Sequence, residues 1–181
     1  GKKWDRIDYV KAFESANKIN PVEASRDALF TKAESLGLKP EFGLGKGRLI
    51  DIIFKKTVRP TLIQPAFLIN PPVELVPLAK RLERDARIAE RMQCVACGTE
   101  LGTGWTELND PVDQRRRFEE QMKLRAAGDK EAQRLDEEYL EAMEYGMPPA
   151  TGFGVSERFF SVLMDKPVRE TVIFPMMRPK G

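Results

Sequence analysis

Residues 93 to 111 read QCVACGTELGTGWTELNDP, which places two thiols, two carboxylates and a Gly-Thr-Gly within one short stretch. Thiol chemistry there would mean a metal or a redox pair, whereas carboxylate chemistry would mean binding a cation, either a metal ion or an ammonium group. Cys94 and Cys97 are three positions apart on an expected strand, so their side chains face opposite ways. A tetrahedral zinc site would need two further ligands, and the chain has two cysteines in all and no histidine. The thiols are therefore read as packing residues. The absence of histidine also removes Ser-His and Cys-His mechanisms, leaving carboxylates, guanidiniums and backbone amides as the groups able to work.

Glu100 and Glu107 flank the Gly-Thr-Gly, lie beside an aromatic residue and precede a helix start. Gly98 is placed where a strand glycine would mark a bulge, and one extra residue there turns positions 93 and 100 to the same face. GLGKG at 43–47 lacks the Lys-Ser/Thr ending of a phosphate loop and reads as a turn. The acidic residues between 129 and 144 read as a solvated helix face.

These groups need elements to hold them. With 41% apolar and 32% charged residues the chain has the composition of a globular protein, and its formal charge of +2 gives no general nucleic-acid surface. No apolar run reaches the roughly 20 residues that cross a bilayer, so the expectation is a cytoplasmic protein with no membrane partner. Asp8 caps a helix to Asn17 with Val10, Phe13 and Ala16 as its stripe. Asn20 or Ser25 opens a second helix closed by Gly37, and RLIDIIFKK forms a third that ends at Pro60. PAFLIN is a strand, 71–91 a loop carrying at most a short helix, and Met92–Leu101 a second strand. Asp110 followed by Pro111 starts a helix to Ala127, with RFE at 117–119 as exposed charge. Asp129 starts another helix, buried through Leu135, Tyr139 and Met143. A glycine-bearing strand then passes at Ser156 into a helix, and Thr171–Phe174 forms a last strand. Residues 1–60 are mainly helical and 61–181 carry strands with inserted helices, an α+β arrangement with an antiparallel sheet.

Three segments, GTELGTGWTELNDPVDQRRRFEEQ, EYGMPPATGFGVSERF and VRETVIFPMMRP, resemble in content and order the C-terminal part of the class II lysyl-tRNA synthetase catalytic domain. The resemblance implies a partial class II core, an antiparallel sheet flanked by helices, with ATP and lysine lying on the sheet. It implies that Glu107 pairs with the lysine ammonium while Trp105 and Thr103 line the lysine pocket, Thr103 standing where many members have asparagine. Arg158, Glu100, Gly152 and Gly154 take ATP-binding positions. Glu100 and Gln93 take the places of magnesium ligands, Gln93 where members carry a glutamate. Lysine, ATP, Mg2+, tRNA(Lys) and a homodimer are the implied ligands and partners. The family's first two motifs and its anticodon-binding barrel have no counterpart among the 181 residues, so the chain by itself is expected to be inactive. Two other readings stay open: a ligase that lysylates elongation factor P, and a non-catalytic synthetase-like module.

Overall fold

The computed structural model describes residues 3–174. Five strands form the main sheet: β1 (Asp5–Asp8), β2 (Ala66–Ile69), β5 (Arg91–Ala96), β6 (Thr99–Thr106) and β7 (Thr151–Val155), in the order β1-β2-β5-β6-β7. All neighbours are antiparallel except β1 and β2. A small hairpin, β3 (Arg81–Leu82) with β4 (Asp85–Ala89), stands beside it. This is an α+β fold with a mostly antiparallel sheet.

Helices α1 (Tyr9–Asn17), α2 (Arg26–Ser35) and α3 (Lys46–Thr57) follow, and the first two begin at residues whose side chains satisfy free amides, whereas Gly45 before α3 makes no such bond. Asp8 accepts from Lys11 N and Ser25 from Ala28 N. Asn20 takes a different part, accepting from Val22 N and Glu23 N in the turn before α2. The buried stripe of α1 is Tyr9, Phe13 and Asn17 rather than the expected Val10, Phe13 and Ala16, because Tyr9 stacks on Phe54 and Asn17 donates to Thr57, both on α3. On α3, Leu49, Ile50, Ile53 and Phe54 are completely enclosed. They pack with Phe13, Leu29, Ala66, Leu68 and Val95 into the main core, where Tyr9 and Phe54 stack with ring centres 4.0 Å apart.

Between β6 and β7 the chain makes an excursion through α4 (Pro111–Ala126) and α5 (Glu137–Glu144). Asp110 accepts from both Val112 N and Asp113 N, with proline at the first helical position losing no bond. The next helix is shorter than expected. Asp136 caps it, and Asp129 instead holds a turn by accepting from Glu131 N. Phe118, Leu140 and Met143 form a separate small core, against which Leu135 and Tyr139 are only partly buried.

Three other expectations are corrected. Met92–Leu101 is two strands, because Cys97 and Gly98 turn the chain with φ of 53° and 69°, the geometry of a two-residue hairpin loop. Cys97 is consequently exposed in the turn rather than packed. Segment 71–91 contains the β3–β4 hairpin, and Thr171–Phe174 is not a strand, following instead a 3-10 turn at Val168–Glu170. The last helix, α6, runs from Arg158 to Met164, and Ser156 Oγ accepts from Arg158 N just before it. Among the described residues no helix is long and apolar enough to cross a membrane.

Candidate functional site

The β5–β6–β7 register decides which side chains share a face. Gln93 pairs with Thr103 and Thr103 with Gly154, while Arg91 pairs with Trp105 and Trp105 with Gly152. Side chains directly opposite one another project together. One face therefore carries Arg91, Gln93, Thr103 and Trp105, with the two β7 glycines beside them. The same face continues through Val95 and Leu68 into the main core, so helices cover one half and leave the other open.

Glu100 joins this face through a register shift. Cys94 pairs with Gly102 but Val95 with Glu100, leaving Leu101 as the extra residue. The bulge expected from Gly98 thus exists, but lies three residues further on, with Gly98 serving in the turn. Its consequence is the expected one: Gln93 Nε2 donates to Glu100 Oε2. Arg91, which carries no local sequence signal, completes the group. Its Nε donates to Thr103 Oγ1 at 2.9 Å and its Nη2 lies 3.8 Å from Glu100 Oε2. Burial pushes this guanidinium down from its ordinary value, while the charges of Glu100, Tyr9 and Asp51 oppose the shift.

Gln93, Glu100, Arg91 and Arg158 line one cavity of about 790 Å3, bounded opposite by α3 residues such as Lys46 and Asp51. Arg158 is exposed at the first residue of α6. Tyr9, 4% exposed, also lines this cavity, and its hydroxyl has no hydrogen-bond partner among the described residues.

Glu107 lies outside that cavity lining, just beyond β6. Trp105 Nε1 donates to its Oε2 at 2.7 Å, and its backbone N–H donates to Ala150 O at 2.9 Å. Trp105 is steadied in turn against Val76, Ala79 and Ala89. The Gly-Thr-Gly has a packing reason: added Cβ atoms on Gly102 or Gly104 would come within 2.8 Å of the Phe153 ring on the far face. Gly152 and Gly154 lie on the near face, where a Cβ on Gly154 would meet nothing closer than Thr103 O at 4.0 Å and one on Gly152 would stand 3.2 Å from Glu107 Oε1. They leave a flat, uncovered strip of backbone between Glu107 and the cavity.

A family model described as tRNA synthetases class II (D, K and N) matches residues 1–178. The chain belongs to that family. Among its curated relatives, the lysine–tRNA ligase of Moorella thermoacetica is 44% identical over 98% of this chain, that of Carboxydothermus hydrogenoformans 41% over 98%, and that of Roseiflexus castenholzii 40% over 99%. In each case the match spans 37% of the relative, so this synthetase chain corresponds to little more than a third of their length.

The donor set bears on the metal that such a family implies. Among the described residues no three His, Cys, Asp or Glu side chains are grouped to hold an ion. Glu100 and Gln93 offer one carboxylate and one amide oxygen. That suits magnesium, which keeps much of its water and takes its remaining ligands from a substrate's phosphates, and does not suit a closed protein cage.

Arg117, taken as exposed charge in RFE, is 4% exposed and donates to Asp113 and to Ala79 O.

Proposed function

We propose that residues 1–181 are the C-terminal portion of a synthetase catalytic domain and supply the floor of a lysine-activating site in a longer lysine–tRNA ligase. The observation that carries this reading is Glu107, a half-buried carboxylate held by Trp105 next to the bare glycine strip of β7. An anion fixed in that way favours an ammonium group and rejects a neutral side chain, because a neutral side chain would leave the carboxylate desolvated and unpaired. Trp105 and Thr103 would line the stem of the bound lysine. Glycines 152 and 154 would let the nucleotide base approach the backbone, and the Arg158 guanidinium would grip the terminal phosphate.

In the reaction the lysine carboxylate oxygen bonds to the α-phosphorus of ATP and the bond to pyrophosphate breaks, after which a hydroxyl at the end of tRNA(Lys) bonds to the lysyl carbonyl carbon and AMP leaves. No protein nucleophile is needed, so the side chains on this face position the reactants and stabilise charge. Glu100 and Gln93 would hold magnesium, which when bound neutralises phosphate charge. Arg91, held by Thr103 and facing Glu100, keeps that carboxylate oriented. The complete enzyme would act in the cytoplasm as a homodimer.

Calorimetry on the complete protein tests the reading. Glu107→Gln should abolish a saturable lysine signal while leaving ATP binding in place. Equal lysine affinity in both proteins would exclude Glu107 as the ammonium partner.

A further inference from the structure

Resting on that reading of Glu107, we infer that Arg117, anchored by Asp113, is a positioning residue for the substrate-binding carboxylate, although it lies in the helical excursion and does not itself line the cleft. The chain of contacts starts at the strand end. Glu107 lies opposite Ala79 in an isolated antiparallel bridge, with Lys80 N donating to Thr106 O at 2.8 Å and Leu108 N to Leu78 O at 2.9 Å. Segment 77–80 is thus a short brace along one side of Glu107, and Ala150 supplies the other side. Ala79 also packs beneath Trp105, the side chain that holds the Glu107 carboxylate.

Two carbonyls of the brace, those of Pro77 and Ala79, are taken by α4, while Leu78 O accepts from Leu108 N and Lys80 O from Glu90 N at 2.8 Å. Arg117 Nη1 donates to Ala79 O at 2.6 Å, and Gln114 Nε2, completely enclosed, donates to Pro77 O at 3.2 Å. A buried guanidinium holds such a position only with its charge answered. Asp113, one helical turn earlier, does this by accepting from Arg117 Nη2 at 2.8 Å. The same carboxylate accepts from Arg81 Nε at 3.0 Å, which ties β3 into the arrangement. A planar fork that meets a carboxylate and a carbonyl at once fixes the brace in direction as well as distance, which a lysine ammonium does not.

A residue that only stabilised the fold would lower stability without moving the Trp105–Glu107 bond, and that distinction provides the test. The chain has two tryptophans. Trp4 lies against Phe67 with ring centres 5.2 Å apart, and Phe67 pairs with Cys94 and so projects from the other face of the sheet, making Trp4 an internal control. In 1H–15N spectra of the 181-residue chain, Arg117→Lys should move the Trp105 indole resonance toward its position in Glu107→Gln while the Trp4 resonance stays. Asp113→Asn, which keeps the shape and removes the anchoring charge, should do the same and serves if Arg117→Lys does not fold. Leu140→Val, which loosens the excursion through its own small core, should lower the melting temperature and leave both indoles in place. An unmoved Trp105 resonance in a folded Arg117 or Asp113 variant would overturn the inference.

The complete protein separates this idea from the lysine reading. There Arg117→Lys should weaken lysine binding roughly tenfold, equivalent to about 1.4 kcal/mol, with ATP affinity held within about twofold. A shifted indole with unchanged lysine affinity would leave Arg117 as the brace of Glu107 and count against Glu107 as the lysine site.

Discussion

Replacing Gly47 by alanine sets two effects of opposite sign against each other. Gly47 lies in the first turn of α3, where a glycine costs about 1 kcal/mol relative to alanine, so helix propensity alone makes Gly47→Ala stabilising. The structure reverses that expectation. A Cβ built on Gly47 would stand 2.5 Å from Glu74 O and 2.9 Å from Glu74 C, both backbone atoms of the segment leading to the brace. Ordinary contact needs about another ångström, so α3 or the 3-10 turn at Val73–Leu75 must move. Overpacking of this kind costs roughly 1–3 kcal/mol, and neither element can yield by rotating a side chain. With the helix gain subtracted, the expected net effect is a loss of up to about 2 kcal/mol, or up to about 8 °C in melting temperature for a chain of this size. Urea unfolding followed by circular dichroism measures it. A Gly47→Ala protein more stable than the parent, by the roughly 1 kcal/mol that helix propensity alone would give, would show that the close approach of α3 to Glu74 is wrong.

Asp113 makes a pH-dependent contribution. Burial pushes its carboxyl up, but hydrogen bonds from Arg81 and Arg117 outweigh burial and hold it at about 2, against an ordinary 3.8. A depressed carboxylate contributes stability that is fully present above the unfolded value and disappears as pH falls through the folded one. The parent should therefore lose about 2 kcal/mol between pH 5 and 2 that Asp113→Asn does not lose, and parallel urea midpoints over that range would contradict the pairing. Gly154→Ala should leave the melting temperature within about 1 °C, because the new methyl meets open space, yet weaken nucleotide binding in the complete protein by raising the floor of the glycine strip. Unchanged ATP affinity would mean that no ligand lies flat on β7.

What could be read in the sequence was what is settled locally. Asp8, Ser25 and Asp110 announce helix starts because a side-chain oxygen answers amides two or three residues away. The α3 stripe is legible because its period matches the helix. The hairpin at Cys97–Gly98 was missed because cysteine at a positive-φ position lacks the usual asparagine or aspartate signal. The β3–β4 hairpin was missed for a related reason: RLERDARIA is dense in charge because much of it faces solvent, which hides the alternation of a strand. At the candidate site, the proximity of Gln93 to Glu100 could be anticipated from a bulge. Arg91 and Arg117 could not, because their meaning depends on partners far along the chain: Thr103 for Arg91, and the Ala79 carbonyl for Arg117. Arg-x-Glu in mid-helix looks the same whether its arginine meets water or a buried carbonyl.

Strands β6 and β7 are direct neighbours, with Thr106 facing Thr151, so the whole of α4 and α5 departs from and returns to nearly the same point. A loop whose ends are already pinned together gains or loses residues at little entropic expense. The stretch after Arg117, with its own small core, is therefore the part of this domain where length can drift between relatives without disturbing strand register, whereas the first two turns of α4 cannot be shortened without releasing the backbone they grip.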